Sequence, residues 1–141
     1  MRIKKYILIA NSILGLLIAL VPFVLFPVCS TLKPDGSHMG CFYSGIFITV
    51  MGILAVIFSL LALKAKFSSL FTLLSACAGL MCWLVPNRII TLEGDGWICA
   101  LCSMENHACR ADTMPAVCAL ISVLIVLSVI YLVVNFVQPN K

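Results

Sequence analysis

Four long apolar runs constrain this chain more than any other feature of its sequence. They cover roughly residues 6–26, 45–63, 70–85 and 116–137, and none of them contains Asp, Glu, Lys, Arg or His. A helix that crosses a bilayer needs about 20 consecutive, mostly apolar residues. The backbone must satisfy its own hydrogen bonds in lipid, so runs this long and evenly apolar predict helices rather than barrel strands.

The composition agrees with a lipid environment. Hydrophobic residues make up 63% of the 141 residues and charged residues 10%, and the mean hydropathy is +1.20. A soluble domain has about 45–50% apolar and about 25% charged residues, and a globule this small could not bury so much apolar surface. We therefore predict one all-α membrane domain over residues 1–141. Its transmembrane helices are expected at about 6–26, 45–63, 69–88 and 115–137.

The first run also resembles a signal peptide, because a basic start precedes an apolar stretch. Its apolar part is longer than the roughly 7–15 residues of a signal core, and no A-x-A cleavage site follows. We expect a helix that is retained in the membrane.

The charged residues predict the orientation. The N-terminus, the central loop and the C-terminus carry basic residues without acids: Arg2, Lys4, Lys5, Lys64, Lys66 and Lys141. All five acids lie in the other two loops: Asp35, Glu93, Asp95, Glu105 and Asp112. Cytoplasmic segments are enriched in Lys and Arg. Both termini are therefore expected in the cytoplasm of a bacterial plasma membrane, with the loops at about 27–44 and 89–114 outside. No other basic cluster suggests a nucleic-acid partner.

One motif occurs twice. The pattern G-L-x-x-x-L-V-P covers residues 15–22 and 79–86, an offset of 64 residues. Asp-Gly follows each copy, and each loop then has a histidine shortly before a cysteine and a hydroxyl residue, Ser44 or Thr113. The pattern predicts a parallel internal repeat, in which two helical hairpins are joined by the short central segment KAKFSS. The alternative is a chance likeness between two leucine-rich segments.

The eight cysteines fall into two groups. Three lie in or near the apolar runs, where a free cysteine behaves as a small hydrophobe: Cys77, Cys82 and Cys118. Five lie at or beyond the predicted outer edge, where thiols usually pair: Cys29, Cys41, Cys99, Cys102 and Cys109. The simplest pairing joins Cys29 to Cys41 and Cys102 to Cys109, and each bond would contribute about 2–4 kcal/mol. Spacing does not fix the connectivity, and Cys99 is left over or competes with Cys102.

Cys99-Ala-Leu-Cys102 is a C-x-x-C motif, and in a four-span protein it resembles the thiol oxidoreductases of the DsbB and vitamin K epoxide reductase type. That resemblance implies electron transfer from loop cysteines to a quinone. The chemistry needs a thiol of low pKa beside a cation, for which His107 and Arg110 are the candidates. In the DsbB pattern, however, the motif lies in the first outer loop. A membrane thiol–disulfide oxidoreductase is therefore an alternative function.

Soft ligands suggest a second alternative, a copper or haem protein. His38, Met39, Met104 and His107 would suit Cu(I) or the axial positions of a haem. Their spacing matches no zinc pattern, and the alternative is that His38 and His107 are ordinary solvated loop residues. The metal, if there is one, is unknown. The apolar runs hold no carboxylate pair for proton relay, and the chain has no phosphate-binding glycine loop, so neither a pump acting alone nor an ATPase is expected.

Several motifs together resemble a family of small bacterial four-span membrane proteins catalogued as a domain of unknown function. They are FPVC at 26–29, HMGCFYSG at 38–45, and CSMENHACRADTMPA at 102–116. The family pattern has Met-x-Cys near the second helix, which Met39-Gly-Cys41 fits. Near the fourth helix it has Met-x-x-Cys-Arg followed by Thr-x-Pro, and Cys109-Arg110 with Thr113-Met-Pro115 fits the Cys-Arg and Thr-x-Pro parts. The resemblance implies a four-helix membrane protein that is often encoded beside MacB-type ABC transporter subunits. We therefore expect a non-enzymatic accessory or binding subunit without a cofactor, whose partners are the bilayer and an ABC permease.

Overall fold

The structure is a computed structural model, and it describes residues 2–28, 32–34, 36–95, 97–100 and 109–137. These residues are mostly helical. The helices are α1 (Arg2–Leu20), α2 (Gly40–Lys64), α3 (Ser68–Leu84) and α4 (Met114–Val137). A wider π-helical turn, Val21–Leu25, continues α1, and another, Cys109–Thr113, precedes α4. Between α3 and α4, the two-residue strands β1 (Glu93–Gly94) and β2 (Trp97–Ile98) pair antiparallel.

Three helical stretches are long and apolar enough to cross a membrane: Arg2–Leu25, Gly40–Lys64 and Arg110–Val137. The remaining apolar helix, α3, has 17 residues. All four helices expose large apolar side chains on their outer faces, among them Leu16, Val50, Leu73 and Val126. Apolar surface of this extent is a mark of membrane contact. The chain is therefore a helical protein whose outer surface suits lipid.

The helix bounds differ from the predicted ones where polar residues adjoin the apolar runs. Helix α1 begins at Arg2 rather than near residue 6, and α2 begins at Gly40 rather than near 45. Long basic side chains are compatible with a helix end because their aliphatic stems can lie along apolar surface. Helix α3 ends at Leu84, before the predicted residue 88. Pro86 has no N–H to donate, and Arg88, at φ 59°, turns the chain away.

The helices form a closed ring of neighbours. Helix α1 packs against α2 and α4, and α3 packs against the same two helices. The larger core cluster is built around fully buried side chains such as Ile18, Ile48, Val117 and Leu124. A smaller cluster contains Ile7, Leu8, Ala62 and Tyr131. The smaller cluster lies toward the end that carries Lys4 and Lys64, called the basic end below. The opposite end, with the described residues 26–28, 32–34, 36–40, 85–95, 97–100 and 109–113, is called the loop end.

The two halves of the chain bury matching positions. Positions in α1 and the π-helical turn after it correspond to positions 64 residues later, in α3 and at Val85. The corresponding pairs are Leu8 with Thr72, Asn11 with Ser75, Gly15 with Gly79, Ile18 with Cys82, and Val21 with Val85. At an offset of 69 residues, α2 matches α4 and the turn before it: Ser44 with Thr113, Ile48 with Val117, Ala55 with Leu124, Ser59 with Ser128, and Ala62 with Tyr131. Every one of these residues is buried. The matching burial supports the internal repeat and extends it well beyond the shared motif.

The same polar contact accordingly occurs twice between the halves. Asn11 Nδ2 in α1 donates to Ser128 Oγ in α4 at 3.0 Å. At the matching positions, Ser75 Oγ in α3 and Ser59 Oγ in α2 share a hydrogen bond of 3.1 Å. Hydrogen bonds between helices in lipid contribute about 0.6 kcal/mol on average. The two contacts therefore add modest energy, and they fix which faces of the helices meet.

Candidate functional site

At the loop end, the segment after α3 lies directly against the start of α2. Ala100 N donates to Gly40 O at 3.5 Å. A Cβ on Gly40 would lie 2.9 Å from Ile98 O, so only glycine admits this approach. The first loop forms a tight turn of its own, in which Lys33 N donates to Ser37 O at 2.8 Å. Backbone contacts thus hold the described part of the second loop against α2 and close a turn within the first loop.

A row of aromatic rings runs across the loop end. His38 stacks on Phe42 with ring centroids 4.2 Å apart, and Phe42 meets Phe23 edge-on at 6.0 Å. Tyr43 lies 6.5 Å from His38 and 6.1 Å from Trp97. The row therefore joins the end of α1, the start of α2 and the β-hairpin. Aromatic pairs at these separations contribute about 0.5–1.5 kcal/mol each beyond their buried area.

Beside this row lies a cleft of about 640 Å³, which brings residues of both loops together. The first loop contributes Lys33 and Ser37, and the β-hairpin contributes Glu93, Gly94, Asp95, Trp97 and Ile98. The Trp97 ring lies over Gly94 so closely that a Cβ there would collide with it. Trp97 is nevertheless 41% exposed. A cation, two carboxylates and an exposed indole can supply ionic, hydrogen-bonding and stacking contacts to another molecule.

Cys99 lies two residues after Trp97, just beyond the β-hairpin. It is only 4% exposed, it is a free thiol, and its backbone N donates to Leu92 O at 2.9 Å. Burial away from water disfavours the thiolate and raises the pKa of the Cys99 thiol above its usual value. A reactive redox cysteine needs a lowered pKa, so the environment of Cys99 opposes nucleophilic chemistry.

An apolar groove of about 360 Å³ opens next to Cys99. Tyr43, Ile46, Phe47 and Val50 line it from α2, and Leu92, Trp97 and Cys99 line it from the second loop. Almost all of its lining is apolar. The groove can accept a flat or aliphatic group, and it offers such a group little polar recognition.

Many of the predicted site residues lie outside the described residues. These are Cys29, Cys102, Met104 and His107, together with the side chain of Cys109. Each predicted disulfide includes at least one of them, so the pairings Cys29–Cys41 and Cys102–Cys109 remain predictions. No disulfide joins two of the cysteines that the structure describes. Cys41 itself is buried in the first turn of α2.

The other predicted residues are placed as follows. Met39 immediately precedes α2, and Pro115 is the second residue of α4. Arg110 is exposed in the π-helical turn before α4. Thr113 Oγ1 donates to Phe26 O at 3.0 Å, which ties the start of α4 to the end of α1.

The described residues form no cluster of metal ligands that would support the metal hypothesis. His38 Nδ1 is buried without a hydrogen-bond partner, and its ring packs against Phe42. Within the described ranges, no three His, Cys, Asp or Glu side chains come together as metal ligands. His38 is thus part of the aromatic row rather than the centre of a described ligand set.

The aromatic row and the role of Trp97 in it were not predicted from the sequence. A signal was available, because tryptophan and tyrosine concentrate at the boundary between lipid and water. Tyr43 and Trp97 both flank apolar runs near their outer ends. Their proximity to each other depends on how the β-hairpin lies on α2, which no local pattern encodes.

Apolar helices and a structured loop end define this chain as a protein of membrane type. It belongs to the DUF4418 family, described as a domain of unknown function, whose family model matches residues 11–134. The match includes all of α2 and α3, the second half of α1 and most of α4. No curated protein matches the chain significantly, and neither does any solved structure.

Proposed function

We propose that this chain is a four-span protein of the bacterial plasma membrane, with both ends in the cytoplasm, that works as a non-enzymatic binding or accessory subunit. Its loop end would recognise a partner or substrate outside the membrane. The partner that the family resemblance implies is the permease of a MacB-type ABC export system.

A hydrogen bond between the two ends of the chain supports four spans. Lys4 Nζ donates to Asn135 Oδ1 at 3.0 Å, so the start of α1 and the end of α4 lie at the same end of the molecule. A chain whose ends lie on one side crosses the bilayer an even number of times. Three helices have full spanning length, and α3 then supplies the fourth crossing. Its 17 residues cover about 26 Å at 1.5 Å per residue, and the buried Val85 and Pro86 continue it toward the loop end.

The single observation that carries the binding role is the cleft lined by Lys33, Glu93, Asp95 and Trp97. Fixed charges of both signs beside an exposed aromatic ring are typical of interfaces that recognise another molecule. The buried Cys99, with its raised pKa, lacks the lowered pKa that marks an activated thiol nucleophile. Recognition is therefore better supported than catalysis.

The two tryptophans of the chain allow a matched test. Trp97 lies in the cleft and is 41% exposed, whereas Trp83 lies on α3 and is 40% exposed. A photo-crosslinking residue at each position would be expressed with the MacB-type permease of the same genome, in intact membranes. We expect the permease to be captured from position 97 and not from position 83. Capture from neither position, together with no co-purification in mild detergent, would refute the transporter partner.

A thiol–disulfide oxidoreductase is the second candidate, and the apolar groove beside Cys99 favours it. A quinone ring would fit an apolar slot next to a cysteine, with Tyr43 and Trp97 at its sides. The test is the redox state of the Cys99–Cys102 pair in native membranes, read by alkylation with and without added quinone. A pair that is oxidised when quinone is added would support this function. A pair that stays reduced, in a purified protein free of quinone, would exclude it.

A further inference from the structure

Besides the cleft and the groove at the loop end, a cavity of about 480 Å³ lies at the basic end. Helix α1 contributes Lys4 and Lys5, the end of α2 contributes Ala62 and Lys64, the start of α3 contributes Ser68, and α4 contributes Tyr131. These include two pairs of repeat-matched positions, Lys4 with Ser68 and Ala62 with Tyr131. The cavity therefore lies where the two halves of the chain meet. Its size is within the range of about 300–1,000 Å³ found for ligand pockets.

The charge of this cavity has one sign. Three of the described residues that line it are lysines, and no described lining residue is acidic. In the sequence, all five acids of the chain lie in the two segments that follow the first and the third apolar runs. The lysines therefore produce a positive potential at a place where low-dielectric helix walls concentrate the field. An anion is the ligand that such a cavity attracts.

Hydrogen bonds hold one of these lysines in position. The side chain of Lys4 is only 7% exposed, and its Nζ donates to Asn135 Oδ1 at 3.0 Å. Asn135 Nδ2 in turn donates to Ser69 Oγ at 2.7 Å. The chain of contacts fixes the Lys4 ammonium between α1, α4 and the start of α3. A cation whose position is already fixed loses less freedom when it binds an anion.

The start of α3 adds to this attraction. Ser68 is the first residue of the helix, and the preceding residue, Phe67, makes no capping hydrogen bond with its side chain. The first N–H groups of a helix and its dipole favour a negative ligand, phosphate in particular. The lysines and the helix start thus point to the same kind of ligand.

We propose that this cavity binds the phosphate of an anionic phospholipid headgroup. The lysines would surround the phosphate oxygens, and the acyl chains would lie on the apolar outer faces of α1 and α2, where Tyr6, Leu60 and Leu61 are exposed. Basic pockets between transmembrane helices bind anionic headgroups in this manner. The inference does not depend on the role of the loop end.

The test uses the full chain, purified in neutral detergent and stripped of lipid. Native mass spectrometry would give the Kd for phosphatidylglycerol, for phosphatidylcholine and for inorganic phosphate. Lys64→Gln removes an exposed lysine that lines the cavity. Lys66→Gln removes an exposed lysine two residues further along the chain, and this lysine does not line the cavity. We expect phosphatidylglycerol to bind best, with a Kd raised about fivefold by Lys64→Gln and changed less than twofold by Lys66→Gln.

Three results would overturn the proposal. Equal affinity for phosphatidylglycerol and phosphatidylcholine would exclude recognition of the anionic headgroup. Equal losses from Lys64→Gln and Lys66→Gln would show diffuse attraction to a basic surface instead of a site. Inorganic phosphate that binds as tightly as the lipid and displaces it would identify free phosphate as the ligand. Lys4→Gln provides a further variant, and Lys64→Gln keeps the test decisive even if Lys4→Gln fails to fold.

Discussion

Gly52 of α2 lies against the backbone of Ala19 of α1, so closely that a Cβ on Gly52 would come within 2.6 Å of Ala19 N. No flexible side chain can move away there, because the obstructing atoms belong to the neighbouring helix backbone. Gly15 lies one turn before Ala19 in α1 and faces Gly52 O in the same contact. Small residues of this kind let transmembrane helices approach closely.

Gly52→Ala is expected to force α1 and α2 apart. Overpacking of a tight contact costs about 1–3 kcal/mol, and we expect a loss of that size in the free energy of unfolding, measured by titration with sodium dodecyl sulfate in mild detergent. The matched control is Gly79→Ala. A Cβ at Gly79 would meet side-chain atoms and no backbone, Leu124 Cδ2 at 3.3 Å and Ile121 Cγ2 at 4.0 Å, so a small effect is expected. Equal losses in both variants would contradict the proposed close approach.

Ser128→Ala should destabilise the protein more than Ser122→Ala. Ser128 Oγ accepts a hydrogen bond from Asn11 Nδ2 at 3.0 Å, and the buried Asn11 Oδ1 has no hydrogen-bond partner among the described residues. Removal of the serine would leave a wholly buried amide poorly satisfied, at a cost of about 1–3 kcal/mol. Ser122 is exposed on the same helix and donates only to Cys118 O, at 2.8 Å. The same detergent titration distinguishes the two variants, and Asn11→Leu with Ser128→Ala should recover part of the loss.

Cys99 should react slowly with a maleimide in the native protein. Its pKa is raised by burial, and the thiolate is the reactive form. The thiolate therefore forms only at a pH above the usual range for cysteine, so labelling should stay slow where an ordinary cysteine reacts and should increase as the pH rises further. Thr91→Cys, at an exposed position of the same loop, gives the reference rate. Site-resolved mass spectrometry reads both, and denatured protein confirms that both thiols are present. Labelling of Cys99 as fast as the reference would show an accessible, activated thiol.

Reporters test the topology that the Lys4–Asn135 contact supports. Green fluorescent protein fused after Lys141 is expected to fluoresce, because it folds in the cytoplasm. Alkaline phosphatase inserted after Thr91 is expected to be active, because it requires the oxidising side. An active phosphatase at Lys141 would place that end outside and refute the proposed orientation.

The helices could be predicted from the sequence because lipid imposes one requirement on every residue of a span. Apolar length and the need for internal hydrogen bonds act locally, so each run identifies its own helix. The ends were less predictable. Helix α3 stops at Leu84 because of Pro86 and the left-handed Arg88, and α2 starts at Gly40 where the second loop packs on it.

The internal repeat was only partly visible in the sequence. The first and third helices share an offset of 64 residues, whereas the second and fourth share 69, because the second loop is longer. Residue identity also differs at matched sites, as with Asn11 and Ser75, although both are buried and both hydrogen-bond to a serine. Burial and hydrogen-bond partners are properties of the fold, and they reveal the repeat at positions where the residue types differ.

The candidate sites were the least predictable part. The sequence drew attention to cysteines and histidines, whereas the cleft at the loop end depends on Trp97 and on charges from two distant loops. Lys4 and Lys64 were interpreted only as topology signals, although they line one cavity. Both sites are formed by residues far apart in the chain, and spacing within a motif carries no information about such contacts.

The closed ring of helices has a consequence for chain connectivity. Each hairpin contacts the other through both of its helices, and the hydrogen bond from Lys4 to Asn135 brings the two ends of the chain together. A circular permutant that begins in the KAKFSS segment, with the original ends joined by a short linker, would keep every one of these interfaces. The order of the two hairpins along the polypeptide is thus immaterial to their packing, and two separately expressed halves should assemble in the membrane.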